Sequence, residues 1–239
     1  MNRISHEIEH GKKIVDDAEF YWGWGTPAGK ERLRRRAEML TEYSELGPGK
    51  RVLELGCGKG LYTKELVKSG ATIAAIDISW DLLKAAEKIS EKPGYLVGDG
   101  HGLPFADNTF DSVVGVSVLH HLEVEQVIAE STRVLKPGGR FVFSEPNMLN
   151  PQIAVQKNIP WIKRMLGDSP DETAFRKGPL KSLLEQVGLE VIEITPFDFL
   201  HPWVPKPLIG LVDTTGRLIE KIPALREIAG SLIIVARKP

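Results

Sequence analysis

This sequence contains a single cysteine, almost no net charge and no long apolar run. Its 239 residues carry 31 Lys and Arg against 32 Asp and Glu, which gives a net charge of −1. One cysteine excludes an internal disulfide and favours a reducing, cytoplasmic compartment. The balanced charge excludes a global field that would draw the chain to nucleic acid. The longest apolar stretch, near residues 113–119, is too short to span a membrane.

The rest of the composition is that of an ordinary globular protein. Hydrophobic residues make up 42% and charged residues 26% of the chain, and we find no internal repeat or low-complexity tract. Residues 1–7 are polar and lack the apolar core of a signal peptide. We expect a cytoplasmic monomer or homodimer with an N-terminal helical cap or lid at residues 1–50 and a main domain at residues 51–239.

A glycine cluster follows the first predicted core strand. Residues 51–55 are mostly apolar and run directly into Gly56, Gly58 and Gly60, after which a helical pattern begins. This order predicts a strand, a tight turn and a helix, the opening of a βαβ unit that binds a nucleotide-like ligand. A side chain at these glycines would hold the backbone away from the ligand or forbid the φ angles of the turn. Helix-start amides then offer donors to a carboxylate or phosphate.

The spacing of this cluster resembles one family more than another. Dinucleotide-binding dehydrogenases usually have G-x-G-x-x-G, whereas Glu54-x-Gly56-x-Gly58-x-Gly60 resembles motif I of class I S-adenosylmethionine-dependent methyltransferases. A carboxylate at Glu54 would repel a pyrophosphate but suits the ammonium and sulfonium groups of S-adenosylmethionine.

Three further strings resemble the same family, in order and correctly spaced. They are the loop D-x-x-x-L-P-F at residues 99–105, the strand opening F-D-x-V at 110–113 and L-K-P-G-G at 135–139, which leads into a strand predicted at 141–145. An acid, Asp77, ends the buried strand predicted at 71–78, where it can accept both ribose hydroxyls. A dehydrogenase would explain only the glycine turn and Asp77.

The resemblance implies a fold and a cofactor. We expect an α/β protein with a doubly wound, seven-stranded Rossmann-like sheet, mostly parallel with an antiparallel last strand. The implied cofactor is S-adenosylmethionine, with Asp77 on the ribose, Ile78 and Leu103 on the two faces of the adenine, Asp99 on its amino group and Glu54 at the methionine end. The residues expected to bind it are Glu54, Gly56, Cys57, Gly58, Asp77, Ile78, Asp99, Gly100, Leu103 and Ser117.

Candidate catalytic groups are His121, Glu145 and Tyr21. In similar small-molecule methyltransferases the histidine before the leucine faces the active site, and whether His121 is a base or a packing residue stays open. The adjacent His120 and His121 are expected to point apart, so we predict no metal site. His101 is expected to be an exposed loop histidine.

Several segments allow more than one interpretation. The aromatic and glycine-rich residues 20–29 form either a lid over the site or simple packing. A basic helix is predicted at residues 30–46, and its arginines at positions 32, 34, 35 and 36 are expected on a solvated face, with a substrate phosphate site as the alternative. Insertions are predicted near 146–175, where Asn147 could orient a nucleophile with Glu145, and near 196–229. The second is core packing, a lid or dimer contact, or a surface for a hydrophobic substrate.

The function these features predict is methyl transfer from S-adenosylmethionine to a small-molecule acceptor, by in-line displacement at the sulfonium methyl. Weak net charge and the apolar insertions favour an apolar, lipid-like or glycosylated metabolite, with peripheral contact to a lipid-like substrate and no transmembrane segment. Two alternatives stay open at this point: a nicotinamide-dependent oxidoreductase or epimerase, and a non-catalytic methyltransferase-like binding subunit.

Overall fold

Seven strands form one sheet in the middle of the protein. The computed structural model describes residues 8–9, 11–12, 15–16, 18–165 and 172–239, except for the side chain of Tyr21. The strands in these ranges are β1 Arg51–Leu55, β2 Thr72–Asp77, β3 Gly94–Val97, β4 Phe110–Val116, β5 Leu135–Pro146, β6 Glu190–Phe197 and β7 Ser231–Arg237. Their order is β3-β2-β1-β4-β5-β7-β6; the first five strands of the chain are parallel, and β7 is antiparallel to both its neighbours. The predicted fold is confirmed.

Helices cover both faces of this sheet. In the described ranges the α-helices are α1 Ala18–Tyr21, α2 Pro27–Tyr43, α3 Leu61–Leu66, α4 Trp80–Ile89, α5 Val124–Val134, α6 Pro151–Asn158, α7 Pro160–Met165, α8 Lys177–Gln186, α9 Ile209–Ile219 and α10 Pro223–Arg226. Short 3-10 helices occur at Val67–Ser69, Leu119–His121 and Lys206–Leu208. None of the described helices combines the length and the hydropathy needed to cross a lipid bilayer.

One face of the sheet carries the larger core. Leu53 of β1, Val113 of β4 and Phe141 of β5 are buried there, together with Ile128 of α5 and Leu184 of α8. Alternate residues of a strand point to opposite faces, so the neighbouring residues Val52, Val114 and Val142 belong to the other core.

The second core lies under the N-terminal helices. Val52 and Val114 are buried there with Leu40 of α2, Leu66 of α3 and Leu83 of α4. Because both faces are covered, the central strands are near-continuous apolar runs, as expected for a parallel sheet. The helix α2 is therefore part of the layer that covers the sheet, while the lid function predicted for residues 1–50 stays a prediction.

The basic helix α2 begins three residues before its predicted start at residue 30. Thr26 caps it, because the Thr26 hydroxyl accepts the N–H of Gly29 at 2.9 Å, and Pro27 occupies the first turn, where no donor is required. The cap signal Thr-Pro was present in the sequence, but the run of charged residues drew the prediction to a later start.

The solvated arginine face was predicted correctly for one arginine of the four. Arg34 is half exposed and pairs with Glu31 and Glu38 along the helix. Arg35 instead forms an ion pair with Glu220, its Nη2 lying 2.5 Å from Oε2. The prediction was wrong here because the partner lies in the 196–229 insertion, and helical spacing within α2 carries no information about it.

The two remaining arginines converge on Asp198. Oδ2 of Asp198 lies 2.8 Å from Nε of Arg32 and 2.6 Å from Nη2 of Arg36. Burial opposes ionisation of this carboxyl, but the charges of Arg36 and Arg32 outweigh it and hold the pKa of Asp198 well below normal. Arg36 also lies over the rings of Trp24 and Phe197. This buried cluster joins α2 to the start of the 196–229 insertion and supports the core-packing interpretation for that part of it.

The start of β5 and the role of Asn147 differ from prediction. β5 begins at Leu135 rather than at Phe141, with a register shift in its pairing to β4 that accommodates the positive φ of Gly138. Asn147, expected to orient a nucleophile, is fully buried and donates its amide hydrogens to the carbonyls of Glu227 at 2.9 Å and Ala229 at 2.7 Å. Its contacts are structural.

The Asp198 cluster makes a quantitative prediction about stability. Asp198→Asn keeps the left-handed backbone at this position, φ 74°, because Asn tolerates it, but leaves the buried Arg36 and the partly buried Arg32 without their counter-charge. We expect the free energy of unfolding in urea to fall by about 3–5 kcal/mol. The control Arg34→Met removes an exposed pair and should cost under about 1 kcal/mol. Equal losses in the two variants would contradict the assignment.

Candidate active site

The bend after β1 requires glycine for its backbone angles. Gly56, Gly58 and Gly60 have φ values of 64°, 52° and 75°, in the left-handed region that side chains disfavour. A Cβ at Gly56 would lie 2.3 Å from Cγ2 of Val118, and one at Gly58 would lie 2.9 Å from the ring of Trp22. The predicted angle requirement is therefore met. The space beside Gly56 and Gly58, however, is taken by protein side chains and is not what admits a ligand.

Asp77, the last residue of β2, ties this bend to the next helix. Its Oδ2 accepts the N–H of Gly58 and its Oδ1 accepts the N–H of Ser79, both at 2.8 Å. Ser79 caps α4, because its hydroxyl accepts the N–H of Leu82. A carboxylate has about four lone-pair sites, so the two amides do not exhaust its capacity to accept hydroxyl groups.

Asp99 lies in the loop after β3 and is held by His101. Oδ1 of Asp99 accepts from the backbone N–H of His101 at 3.0 Å and from its ring Nδ1 at 2.5 Å. The ring Nε2 accepts the N–H of Glu123 at 2.9 Å. The expectation of an exposed histidine was wrong: the ring is 13% exposed because it links this loop to the start of α5.

A cavity of about 330 Å³ lies at the carboxyl ends of the parallel strands. This volume falls within the range of ligand pockets, about 300–1,000 Å³. The predicted site residues that line it are Gly56, Cys57, Gly58, Asp77, Ile78, Asp99, Gly100, Ser117 and His121. The site is therefore formed by the turn after each of β1 to β4, as the topology of an open α/β sheet requires.

Other predicted residues lie behind the wall of this cavity. Leu103 is 4% exposed in the larger core, because Glu130 and Arg133 bind its backbone N–H and carbonyl at 2.9 Å each and hold the loop inward. Glu145 is 1% exposed and faces the backbone after β4. The side chain of Tyr21 lies outside the described part of the structure.

Glu54 also does not reach the cavity. It is 4% exposed on β1, one position before the last residue of the strand and on the sheet face of Val52. Its Oε2 has no hydrogen-bond partner among the described residues. Burial, with the nearby charge of Asp77, raises the pKa of Glu54 to about 8. Burial likewise raises the pKa of the Cys57 thiol well above normal. Because this disfavours the thiolate, Cys57 is a poor nucleophile.

Glu145 organises the turn after β4. Its Oε1 accepts the N–H groups of Val118 and Leu119 at 2.9 Å each, and its Oε2 accepts from Nδ1 of His120 at 2.7 Å. Burial raises the pKa of Glu145 to about 7, although the backbone donors oppose this shift. Ser117, at positive φ, begins the turn.

The two adjacent histidines do not point apart, which corrects the argument made from sequence against a metal. Their ring centroids are 4.2 Å apart, and both rings approach Glu172: Oε2 is 4.0 Å from Nε2 of His120, and Oε1 is 3.7 Å from Nδ1 of His121. Nζ of Lys157 lies 2.5 Å from the same Oε2. The 3-10 helix at Leu119–His121 turns both rings to one side.

Sequence reasoning did not find every residue of the cavity wall. Trp22 and Trp24 line it, and the aromatic run at residues 20–29 was the signal, although its role stayed open. Lys157 and Glu172 also line it. They belong to the insertion at 146–175, and no motif or spacing in the sequence singles them out.

Comparison with known proteins identifies the family. A model described as "Methyltransferase domain" matches residues 53–143. The demethylmenaquinone methyltransferase of Thermobifida fusca (strain YX) is 33% identical over 178 residues, covering 67% of this chain and 73% of that relative. The chain belongs to the class I S-adenosylmethionine-dependent methyltransferases. A second demethylmenaquinone methyltransferase, from Corynebacterium urealyticum, is 38% identical over 169 residues, covering 67% of this chain and 72% of that protein.

Solved structures show the same fold. A chain of the complex between the Haloferax volcanii Trm112 methyltransferase activator and a methyltransferase matches with a TM-score of 0.72 at 21% identity, covering 96% of this chain and 97% of that chain. The N-methyltransferase NodS from Bradyrhizobium japonicum WM9, in complex with S-adenosylhomocysteine, matches with a TM-score of 0.66 at 17% identity, covering 98% and 99%.

This methyltransferase uses S-adenosylmethionine as cofactor, and the cavity suits it. The wall combines two carboxylates from Asp77 and Asp99, the apolar Ile78, and the backbone of the glycine bend. These groups match a ribose, an adenine and an amino acid moiety. The oxidoreductase and non-catalytic alternatives raised from the sequence are thereby replaced by an enzyme of the methyltransferase family.

The buried carboxyl of Glu54 should make stability depend on pH. An unfolded Glu ionises near pH 4.3, whereas Glu54 stays protonated in the folded state up to about pH 8. The folded state binds the extra proton between these values, so this contribution is present in acid and lost as pH rises, by up to about 1.4 kcal/mol per pH unit.

We therefore expect Glu54→Gln to gain stability relative to the wild type as pH rises from about 5 to about 8, measured by urea unfolding. The control Glu42→Gln replaces an exposed glutamate of α2, and its free energy of unfolding should change with pH in the same way as that of the wild type. If the free energy of unfolding of Glu54→Gln also follows the wild type across this pH range, the fold does not hold the carboxyl protonated.

Proposed function

We propose that this enzyme transfers a methyl group from S-adenosylmethionine to a small, apolar acceptor in the cavity at the carboxyl ends of the strands. The observation that carries this proposal is that one continuous cavity has a wall running from Asp77 and Asp99 to the paired His120 and His121. One end has groups suited to a nucleoside, and the other has groups suited to an ionisable acceptor.

The cofactor-binding roles follow from position. Asp77 accepts the ribose hydroxyls, Ile78 packs on the adenine, and Asp99 with the adjacent Gly100 binds its polar edge. The methionine portion lies along the bend at residues 56–58 and against Ser117. Glu54 acts from behind the bend: binding of the positively charged cofactor nearby lowers the pKa of its buried carboxyl, and the carboxylate that then forms attracts that charge without touching it.

The residues of this chain supply alignment and exclusion of water. When bound, S-adenosylmethionine provides an electrophilic methyl carbon and a neutral sulfur leaving group. The apolar wall, with Trp22, Trp24 and Leu82, excludes water, and positioning of the two reactants can contribute several powers of ten in rate. His121 is the group in the cavity wall best suited to take a proton from the acceptor. Glu145 holds the turn that carries it.

Two observations support an apolar acceptor. The relatives are named demethylmenaquinone methyltransferases, and demethylmenaquinone is a small, lipid-like molecule. The 196–229 insertion also exposes large apolar side chains: Trp203, Leu208, Leu211, Leu218, Ile222, Leu225 and Ile228. A surface of this kind suits delivery of a lipid-like molecule. The monomeric or homodimeric state stays a prediction.

The role of Asp77 is tested by cofactor affinity. Asp77→Asn removes the charge that strengthens hydrogen bonds to the ribose, and it leaves one acceptor oxygen where the wild type has one each for Gly58 and Ser79. S-adenosylmethionine should therefore bind at least about tenfold more weakly by calorimetry. Asp81→Asn makes the same change four residues later, outside the cavity wall, and serves as the control. Unchanged affinity in Asp77→Asn would remove Asp77 from the site.

The acceptor class is tested by turnover. We expect S-adenosylhomocysteine to form at least about tenfold faster when demethylmenaquinone is supplied in its reduced, hydroquinone form than when acceptor is omitted. An amine of similar size serves as the control and should give no acceleration. Acceleration by the amine alone would contradict the proposed acceptor class while leaving the methyltransferase assignment intact.

A further inference from the structure

Four ionisable side chains lie almost fully buried at one end of the cavity, and cofactor binding does not account for them. The side chains of His120, Lys157 and Glu172 are 5%, 6% and 6% exposed, and that of Glu145 is not exposed at all. Burying a charge costs several kcal/mol even after the surroundings relax. A fold keeps such a cluster beside a cavity most readily where the chemistry needs it.

Glu172 is the centre of this cluster. One of its oxygens contacts Nζ of Lys157 at 2.5 Å, and the other lies 3.7 Å from Nδ1 of His121. Burial opposes its ionisation, but the charges of His121, Lys157 and His120 outweigh it and hold the pKa of Glu172 below normal. Glu172 is therefore an anion with a resident ammonium on one side and an imidazole on the other.

The same residues have the composition of a metal site, and one contact argues against it. Donor atoms of His120, His121 and Glu172 all lie within 4.8 Å of one another. A divalent cation placed among them would be close to the ammonium of Lys157, and like charges at that distance repel strongly in a buried site. Glu172 is instead paired with a cation of this chain, the ammonium of Lys157.

The sheet order separates this cluster from the nucleoside end of the cavity. Asp99 and Asp77 follow β3 and β2, the glycine bend follows β1, and the histidines follow β4, in the order β3-β2-β1-β4-β5. A cofactor with its adenosine over β2 and β3 and its methionine at the bend therefore has its reactive end toward β4, where Lys157 and Glu172 line the cavity.

We propose that Lys157, Glu172 and His121 form the acceptor site of this methyltransferase and select an acceptor with an acidic hydroxyl group, a phenol or enol. This inference rests on the proposed methyl transfer. Lys157 and His121 contact the hydroxyl oxygen, while Glu172 is a positioning residue that balances the charge of Lys157 and stabilises the imidazolium of His121.

The proposed step conserves atoms and charge. The acceptor O–H bond breaks and its proton goes to the His121 ring, while Lys157 stabilises the oxyanion. The electron pair of the oxyanion, shared with the carbon conjugated to it, forms the bond to the methyl carbon from oxygen or from that carbon. The carbon–sulfur bond breaks, and its own electron pair stays on sulfur, which becomes a neutral thioether. After attack by carbon, that carbon loses its hydrogen as a proton to solvent, which restores the oxyanion. His121 then releases its proton to solvent.

The same arrangement disfavours amines. A protonated amine would approach the ammonium of Lys157, and the carboxylate of Glu172 is already engaged with that ammonium, so the amine would gain little and be repelled. The site should therefore discriminate by charge, taking a phenolate and rejecting an alkylammonium ion of similar size.

Binding of a chromophoric phenol tests this selectivity in the wild-type protein. The protein is saturated with S-adenosylhomocysteine, and 4-nitrophenol, which absorbs visible light only as the phenolate, is added near its own pKa. We expect a saturable rise in the phenolate fraction that benzylamine does not reverse. Absence of the rise, or its reversal by benzylamine, overturns the proposal.

Variants of opposite expected effect separate charge recognition from structural damage. Lys157→Met should weaken phenolate binding at least about tenfold, whereas Glu172→Gln removes a repelling carboxylate and should tighten it. The control Lys177→Met breaks a Lys–Glu pair, Lys177 with Glu227 at 2.8 Å, outside the cavity wall and should change nothing. Weakening in both site variants would show a merely structural pair and overturn the proposal.

Two further measurements distinguish this proposal from the one on which it rests. Calorimetry with S-adenosylhomocysteine should give unchanged affinity in Lys157→Met and Glu172→Gln; if even the wild type does not bind it, the proposed function fails first. Titration with Zn²⁺ should show no binding. One-to-one Zn²⁺ binding that is lost in Glu172→Gln would assign a metal site and overturn the acceptor site.

Discussion

The three hydrogen bonds to the carboxylate of Glu145 hold together the part of this enzyme where the two halves of its site meet. Glu145 is the penultimate residue of β5, and it binds two backbone N–H groups and the His120 ring beyond the end of β4. A buried carboxylate without such donors would be very costly, so the strand and the turn specify each other. The orientation of both histidines, and through them the approach of Glu172, depends on this single side chain.

The cofactor end and the acceptor end of the site are carried by different strands of the sheet. The turns after β1, β2 and β3 carry glycines, Asp77 and Asp99, which are local features written into short sequence strings. The acceptor end lies after β4 and β5 and uses residues contributed by a long insertion. The cofactor, which is common to the family, and the acceptor, which varies, thus bind at different parts of one edge of the sheet. Changes in the loops at the acceptor end can therefore alter specificity while the fold is retained.

The sequence was sufficient for the fold and for most of the cofactor end, because strand periodicity, the glycine bend and the acids at strand ends are local signals. It was insufficient for groups whose environment is set by tertiary contacts. Glu54, Leu103 and Glu145 belong to predicted motifs, yet they are buried behind the cavity rather than in its wall. Lys157 and Glu172 are fifteen residues apart and meet only because the insertion folds back on itself. Arg36 shows the same limit: a charged residue in a charged helix is buried because Asp198 arrives from far along the chain.

The position of β7 bears on how the polypeptide is made. Residues 231–237 lie between β5 and β6 in the sheet, so β6 has no hydrogen-bonded neighbour in the sheet, and β5 keeps an open edge, until these residues have left the ribosome. Arg36 of the early helix likewise waits for Ser231, whose hydroxyl accepts from it at 2.6 Å. The nascent protein can assemble its cofactor half before residues 231–237 are made, but the other half must wait for them. A product that lacks residues 231–237 would present an unpaired strand edge, and such edges template aggregation.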